Sequence, residues 1–412
     1  MKTFYCKVVL ALVIGVTLLG ASVHVSAQST WVTKSVDGYT PRTYPCAAEI
    51  GGKIYVIGGH ITVGQPGALS VVEVYNPTTD SWASPVTKGT FTARGGASAN
   101  VVNGKIYVIG GQDNSGTTVN TVEVFDPATN TWSTPTTTGT FTARHRHVAG
   151  VVLGKLIIVA GGQGTSGYNV PLQVFDTESN SWSSPKVTGT FTPRRAALSA
   201  VMNNKLYVFG GYNGSQALNS LEMFDPETDM WSNPTTDNGN VKRYAGTAAV
   251  INNNIYLIGG FDLVAMVEDV EIFNTTTKEW DSEITNGVFS PRSGLVSAVV
   301  NGTIYAIGGA TLTSIPAVNE SLKPKITDVH ITTDNQNIIA LPNPATDNIR
   351  CVGLPYNTTS VQIVSTLGEH ILVSNTNQMQ ECVFDISTLV HGVYFMHITT
   401  TNGKYVRAFV KE

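Results

Sequence analysis

Short runs of alternating apolar and polar residues recur along most of the chain, and each is bounded by Gly, Pro, Asn or Asp. The runs Ala97 to Val102 and Lys105 to Ile109 flank Asn103-Gly104, a pair that adopts positive φ at low cost in a hairpin turn. A third run ends at Asp126-Pro127, and a tryptophan opens a fourth. This pattern predicts units of four short antiparallel strands.

The unit repeats about every 50 residues, and several residue types recur with the same spacing. All six tryptophans mark it: Trp31, Trp82, Trp132, Trp182, Trp231 and Trp280. Six arginines follow: Arg42, Arg94, Arg144, Arg194, Arg243 and Arg292. So do six diglycines: Gly58-Gly59, Gly110-Gly111, Gly161-Gly162, Gly210-Gly211, Gly259-Gly260 and Gly308-Gly309. The chain therefore carries six copies of one four-stranded unit.

The third copy departs from the pattern at two positions. Its diglycine is displaced by one residue, which places Ala160-Gly161 in register with the other pairs. A glutamate marks the other five units, whereas Gln173 occupies its place in the third. The five glutamates are Glu73, Glu123, Glu222, Glu271 and Glu320.

Four strands cannot enclose a core, so neighbouring units must stack, and radial stacking gives a β-propeller. The sixth unit lacks its tryptophan, because Val329 stands where the period requires one. The segment Ser29-Thr30-Trp31 supplies the missing strand. We therefore predict an all-β fold in which residues 28–325 form a six-bladed propeller closed by the N-terminal strand.

A different pattern follows the repeats. Residues 326–340 are polar and are predicted to form a linker. Residues 341–412 contain short alternating runs that predict a small Ig-like antiparallel β-sandwich. Two of the runs carry Cys351 and Cys382, which are either a disulfide or two small buried apolar residues.

Residues 1–27 have the features of a signal peptide, with two lysines, an apolar run and Val25-Ser26-Ala27 as the cleavage signal. The 412-residue chain has 25 basic and 29 acidic residues, a net charge of −4, and no basic run. This charge pattern argues against nucleic-acid binding. No later segment predicts a membrane span, and no motif indicates a metal or another cofactor.

The repeating unit resembles the kelch repeat. The resemblance rests on the strand that ends in Gly-Gly, the tyrosine before it, and the spaced tryptophan, and it covers residues 29 to about 325. The tyrosines are Tyr55, Tyr107, Tyr207, Tyr256 and Tyr305. It implies a propeller that binds a protein or a glycan.

The C-terminal segment is similar to the sorting domain of the bacterial type IX secretion system. The resemblance rests on Pro342 to Asp347, Gly368, Leu389 to Tyr394, and the ending Phe409-Val410-Lys411. It implies that the outer-membrane secretion machinery is a partner. It also implies export, followed by removal of the domain or its attachment to the cell surface. An ordinary Ig-like adhesion domain is the alternative.

The six arginines are the principal candidates for ligand binding. In a propeller they would emerge on one face, where guanidinium groups can bind a carboxylate or a phosphate. The alternative is that each arginine binds carbonyl groups of a neighbouring loop. In kelch domains that bind peptides, the loop after the diglycine shares this face, which here begins with His60, Gln112, Gln163, Tyr212, Phe261 and Ala310. Tyr212 and Phe261 are candidates for stacking on a sugar or a peptide.

Three further patterns carry alternative hypotheses. His145 and His147 would lie on one side of a strand, but no third metal ligand is spaced to join them. Residues 162–167 spell a dinucleotide-binding motif that no helix follows. An enzyme similar to the sialic-acid epimerases with six kelch blades would use Arg and Glu residues in a pocket. The six units are so alike that a binding module is favoured over this enzyme.

Overall fold

The computed structural model describes residues 29–62, 67–234, 242–283, 285–287, 289–324, 338–365, 370–375, 381–400 and 403–412. Its contacts divide the chain into two compact units after Pro324. The predicted signal peptide and most of the predicted linker lie outside the described residues. The described residues form strands, turns and loops without a helix, and hence without any helix that could span a membrane.

The first unit contains six antiparallel sheets, numbered here in the chain order of their innermost strands. The innermost strands are Cys46–Ile50, Ser98–Val102, Val148–Val152, Leu198–Met202, Thr247–Ile251 and Val296–Val300. The second strands are Lys53–Ile57, Lys105–Ile109, Leu156–Ala160, Lys205–Phe209, Asn254–Ile258 and Thr303–Ile307. The third strands are Val72–Asn76, Val122–Asp126, Gln173–Asp176, Leu221–Asp225, Val270–Asn274 and Asn319–Leu322.

The outermost strands are short and come from two parts of the chain. Sheets 1 to 5 end in Ser81–Ala83, Thr131–Ser133, Ser181–Ser183, Met230–Ser232 and Trp280–Glu283. In sheet 6 this place is taken by Ser29–Thr33, which pairs antiparallel with Asn319–Leu322 and sets Trp31 opposite Leu322. Three two-residue strands, Arg94–Gly95, Gln112–Asp113 and Thr285–Asn286, complete the unit.

Five of the six tryptophans pack against an aromatic ring that lies three residues before the arginine of the same sheet, and the exception is Trp280. Trp132 stacks on Phe91 and Trp182 on Phe141, with ring centroids 4.4 and 4.2 Å apart. Trp31 packs in the same way on Phe289 of sheet 6, at 4.9 Å. We predicted that the tryptophan opens the fourth strand, but Trp132 and Trp182 are the second residues of theirs.

The hydrophobic core is divided among the interfaces between sheets. One cluster joins Tyr55 and Ile57 of sheet 1 to Ile106 and Phe125 of sheet 2. Equivalent clusters lie between the other neighbours, including one that joins sheet 1 to sheet 6. The innermost strands likewise contact each other in sequence and back to the first. The six sheets and their kelch-like pattern are consistent with a β-propeller, because each sheet buries both faces against its neighbours.

Our alignment of the third diglycine with those of the other repeats was wrong. The Gly161 carbonyl accepts a hydrogen bond from Arg144, as the Gly58 carbonyl does from Arg42. Gly161-Gly162 is therefore in register, and Ala160-Gly161 is not. The extra residue lies earlier, where Leu153-Gly154-Lys155 forms a three-residue turn in place of the usual two.

The second unit contains two antiparallel sheets that share one core. One sheet consists of Ile339–Leu341, Asn348–Val352 and Glu381–Asp385. The other consists of His370–Asn375, Thr358–Ser365, Gly392–Thr400 and Gly403–Lys411. Ile349 and Phe384 of the first sheet and Met396 and Phe409 of the second belong to the same buried cluster.

Candidate binding face

All six repeating arginines are buried, each at most 1% exposed. Five form ion pairs with the glutamate of their own repeat: Arg42 with Glu73, Arg94 with Glu123, Arg194 with Glu222, Arg243 with Glu271, and Arg292 with Glu320. The carboxylate also accepts from the hydroxyl two residues before the arginine in four repeats, as Glu222 does from Thr192 at 2.8 Å. The guanidinium group is thus bound within its own sheet.

The backbone of the same arginines links one repeat to the next. The Arg94 carbonyl accepts a hydrogen bond of 2.9 Å from the N–H of Gly59 in the preceding repeat. Gly58 has a φ of +61°, and a Cβ built on it would lie 2.4 Å from that carbonyl oxygen. Only glycine fits this conformation and this close approach, so the diglycine is a requirement of the contact between repeats.

These contacts do not support our hypothesis that the arginines bind a ligand. A guanidinium that is fully buried and bound to a carboxylate and to carbonyl groups presents no accessible donor to a partner. They agree better with the structural alternative, although the carbonyls that the side chains bind belong to their own repeat and not to a neighbouring loop.

Arg144 has no carboxylate partner among the described residues. Its guanidinium binds the Gln173 side-chain oxygen at 2.6 Å and the Pro171 carbonyl at 2.8 Å. Burial lowers the pKa of Arg144 to about 10, because it disfavours the charged form. The third repeat therefore buries a cation without a counter-ion.

A closed ring of hydrogen bonds surrounds one end of the first unit. Its members stand two residues after each arginine: Tyr44, Gly96, Arg146, Ala196, Ala245 and Gly294. Each has a positive φ, and each N–H donates to the carbonyl of the preceding member over 2.6 to 2.9 Å, with Tyr44 donating to Gly294. These residues also line a cavity of about 100 Å³. The ring defines the face on which side chains of all six repeats meet.

The loop residues predicted for the ligand face lie next to this ring. Each pairs with the residue that follows an arginine, so His60 pairs with Thr43, Tyr212 with Arg195, and Phe261 with Tyr244. Tyr212 and Phe261 are half-buried, whereas His60 and Ala310 are buried. The structure thus places Tyr212 and Phe261 at an accessible surface.

The repeats carry different side chains at this face, and four aromatic residues are grouped on one part of it. Tyr168, Tyr212, Tyr244 and Phe261 form a continuous row of aromatic rings, with successive centroids 6.3, 5.4 and 5.8 Å apart. Arg195 lies 5.6 Å from the rings of both Tyr168 and Tyr212, and it binds Gln163. We call these four aromatic residues, together with Arg195, Arg146 and Tyr44, the aromatic–arginine patch.

Arg146 belongs to the patch because its guanidinium stacks 4.0 Å above the ring of Tyr44. The pKa of Tyr244 is raised chiefly by burial, and the charges of Arg195 and Arg146 act to lower it. Among the described residues, neither arginine forms an ion pair, and the buried Nε of Arg195 has no hydrogen-bond partner. Two half-buried cations therefore stand beside aromatic rings without a counter-ion.

The histidines near the patch are neutral. Burial, reinforced by nearby arginines, lowers the pKa of His60 to about 4 and that of His145 and His147 to about 3. His145 and His147 were expected on a strand, but they precede Val148–Val152 with Arg146 at positive φ between them. The described residues contain no cluster with the composition of a metal site.

Comparison with known proteins identifies both units. A model described as the KLHDC2/KLHL20/DRC7 Kelch-repeats domain matches residues 22–170 and 149–331, which together span more than half of the chain. The chain belongs to the kelch-repeat family. Kelch repeats indicate a protein-interaction module, so we call the first unit the kelch unit.

The second unit is a sorting domain. A model described as the secretion system C-terminal sorting domain matches residues 340–412. This match indicates export to the cell surface or the medium. The prediction of a kelch protein with a C-terminal sorting domain is confirmed.

One similar protein of known name is the F-box/kelch-repeat protein At1g67480 of Arabidopsis thaliana. It is 42% identical over 67 residues, which is 16% of this chain and 17% of that protein. This chain therefore matches about one sixth of the length of that relative.

Two members of the patch, Tyr212 and Phe261, were among the predicted loop residues, whereas Arg146, Arg195 and Tyr244 were missed because they do not repeat. Arg195 and Tyr244 stand one residue after a repeating arginine, where the other repeats hold Thr, Gly, His or Ser, and Arg146 stands two residues after, where the others hold Tyr, Gly or Ala. The available signal was departure from the pattern at these two positions.

Proposed function

We propose that the protein is an exported binding protein whose kelch unit recognises an acidic segment of another polypeptide through the aromatic–arginine patch. The observation that carries this proposal is the pair Arg146 and Arg195, two half-buried guanidinium groups without an ion-pair partner among the described residues. Arginine beside aromatic rings is a common composition for protein interfaces.

The electrostatics favour an anionic group at this place. The aspartates that follow Gln112 and Phe261 direct their carboxylates into their own turns. Asp113 accepts from the N–H groups of Ser115 and Thr117, and Asp262 accepts from those of Val264 and Ala265. A carboxylate from a partner would therefore meet both arginines without a competing acid, and the tyrosine faces would cover the apolar part of its segment.

We further propose that the six sheets form a closed six-bladed propeller, completed by the N-terminal strand. The pairing of Ser29–Thr33 with Asn319–Leu322 and the ring of hydrogen bonds support closure. Such a rigid scaffold suits recognition, because the loops can vary while the sheets remain fixed.

Export would use both ends of the chain. Residues 1–27 would direct the chain across the inner membrane, with cleavage before Gln28. Residues 341–412, an Ig-like sandwich in this proposal, would then engage the type IX machinery at the outer membrane. The match to the sorting domain supports this route.

The epimerase alternative lacks a specific observation in its favour. It needs an accessible glutamate opposite an arginine, but the five repeating glutamates are at most 9% exposed and bound to arginines. The cavity of about 100 Å³ is also smaller than the pockets that usually hold small-molecule ligands.

The binding proposal is tested on a peptide array with the full exported chain. Each acidic peptide is paired with a version in which Gln and Asn replace Glu and Asp. We expect acidic peptides to bind and their neutral versions to bind far less. The variant Arg146→Ala, Arg195→Ala should lose roughly tenfold or more in affinity, because each charge-assisted contact contributes more than 1 kcal/mol.

Arg350→Ala is the matched control, since Arg350 is an exposed arginine of the sorting unit. Its affinity should equal that of the wild type. Equal binding by the double variant would contradict the role of the patch. Binding to acidic glycans without any binding to peptides would contradict a protein partner.

A further inference from the structure

Two cysteines of the sorting unit face each other across neighbouring strands. Asn348–Val352 pairs antiparallel with Glu381–Asp385, and the register sets Cys351 directly opposite Cys382. Both side chains point to the core side, because burial alternates along each strand and the two cysteines share it with Ile349 and Phe384. Directly opposed residues have Cα atoms about 4.5 to 5.5 Å apart, within the range that a disulfide spans.

The two thiols are also in contact. Cys351 is fully buried and Cys382 is 7% exposed, and each side chain shifts the pKa of the other. The contact lowers the pKa of Cys382 and raises that of Cys351, because it stabilises a thiolate on Cys382. Both residues are thiols in the structure.

Cys46 of the kelch unit provides an internal comparison. It is buried, its thiol donates to the Ile57 carbonyl at 3.6 Å, and burial raises its pKa to about 12. No described cysteine lies opposite it, since its register partner is Ile57. Cys46 therefore represents a buried cysteine that serves only as a small apolar residue.

We propose that Cys351 and Cys382 form a disulfide once the protein has left the cytoplasm. The proposal rests on export, because disulfides persist in oxidising compartments and are rare in the cytoplasm. The oxidant is a disulfide of a thiol–disulfide oxidoreductase or of a small thiol such as glutathione.

The reaction proceeds by two exchanges. The Cys382 thiolate attacks one sulfur of the oxidant, which forms a mixed disulfide and releases the other sulfur as a thiolate. Cys351 loses its proton and attacks the Cys382 sulfur, which forms the Cys351–Cys382 bond and releases the second sulfur. Two protein thiols are oxidised, and one disulfide is reduced to two thiols. Because both cysteines are buried in the folded unit, these steps take place as it folds.

The disulfide would make the sorting unit more stable outside the cytoplasm than inside it. It closes a loop of about 30 residues, and a loop of this size restricts the unfolded chain considerably. It also joins two strands of the three-stranded sheet, which is the smaller of the two sheets. The unit would therefore remain less stable before export and become more stable afterwards.

Thiol trapping tests the proposal without any substitution. Cells of the native host are quenched in acid, and the full chain is recovered separately from the cytoplasm and, as exported protein, from the periplasm and from the medium or cell surface. Each sample is denatured, alkylated with iodoacetamide, reduced, alkylated again with N-ethylmaleimide, and mapped by mass spectrometry. In the exported protein we expect iodoacetamide on Cys46 and N-ethylmaleimide on Cys351 and Cys382. A digest without reduction should contain the peptide that links these two cysteines.

Iodoacetamide on both Cys351 and Cys382 of exported protein would overturn the proposal while leaving export intact. A linkage to Cys46 or to a second chain would overturn it as well. Protein found only inside the cell would instead contradict export. In that case, purified chain refolded from denaturant in oxidised glutathione gives the test, and continued iodoacetamide labelling of both cysteines overturns the proposal.

A second measurement follows the stability of the purified full chain. Dithiothreitol should lower the melting temperature of the sorting unit by roughly 10 °C. The variant Cys351→Ala, Cys382→Ala should show no such shift, whereas Cys46→Ala should keep it. An equal shift in the double variant would contradict the assignment of the bond.

Discussion

The third repeat differs from the other five in the side chain that binds its buried arginine. Arg194 is bound by the carboxylate of Glu222, whereas Arg144 is bound by the neutral amide of Gln173. The geometry is nevertheless conserved, since both arginines also bind the carbonyl two residues before them and the first carbonyl of the diglycine. The hydrogen bonds of the arginine therefore determine the local structure of the repeat, and the carboxylate adds compensation of the buried charge.

The largest expected effect comes from removing a carboxylate. Glu222→Ala leaves Arg194 buried without a counter-ion, and we expect the free energy of unfolding to fall by about 3–5 kcal/mol. Gln173→Ala removes the hydrogen bond that the Arg144 guanidinium donates to an uncharged acceptor, and we expect a loss of about 1–3 kcal/mol. Urea denaturation followed by tryptophan fluorescence measures both. Equal losses would mean that charge compensation contributes nothing in the five repeats.

A smaller effect is expected from pH, because the loop before the third sheet contains two buried neutral histidines. The pKa of His145 and of His147 is lowered to about 3 in the folded state by burial, below the ordinary value of 6.5. The unfolded chain therefore binds more protons below pH 6.5, and stability falls as the pH decreases from 6.5 towards 3. Each histidine should cost about 1 kcal/mol between pH 7.5 and pH 5.5.

The variant His147→Gln tests this dependence by the same denaturation method at both pH values. An amide can replace the hydrogen bond of 3.0 Å between Nε2 and the Ser98 hydroxyl, but it does not titrate. The variant should lose about 1 kcal/mol less than the wild type on acidification. The same loss in both proteins would show that His147 is protonated in the folded state.

The smallest effect is expected from making the third repeat like the others. Gln173→Glu places a carboxylate beside Arg144, and the negative charge should strengthen the hydrogen bond from the guanidinium by about 1 kcal/mol. We therefore expect a gain of about 1 kcal/mol in the free energy of unfolding. The exposed Gln216→Glu is the control, and its change should stay within about 0.5 kcal/mol. A loss at Gln173→Glu would show that burying the new carboxylate costs more than it contributes.

The repeating residues were readable from the sequence because each makes the same contact in every sheet. Tryptophan and diglycine predicted the strands, since an aromatic contact and a close backbone approach leave few substitutes. The role of the arginines stayed open between ligand binding and a structural contact, because a charged residue suggests exposure to solvent. The periodic glutamate was the available clue, since a second charge with the same period indicates a buried pair.

The inserted turn residue of the third repeat and two strands of the sorting unit could not be predicted from the sequence pattern. The extra residue at Lys155 could be placed in the turn only once Gly161 was seen to bind Arg144. In the sorting unit, alternation predicts strands over residues 348–352, 360–364, 381–386, 393–399 and 405–410, and the ends of each lie within two residues of those of an observed strand. The strands Ile339–Leu341 and His370–Asn375 were missed, because they are short or have mixed polarity.

The ring of hydrogen bonds has an electrostatic consequence of its own. Its six N–H···O=C hydrogen bonds run in the same sense around a circle, so the dipoles along them cancel in the sum. A helix end concentrates such dipoles into a partial charge, whereas a circle of them leaves none at its centre. The potential at the mouth of the cavity is therefore set by side chains. Replacing Arg146 or Arg195 can reverse its sign while the backbone circuit stays unchanged, so one scaffold can serve partners of either charge.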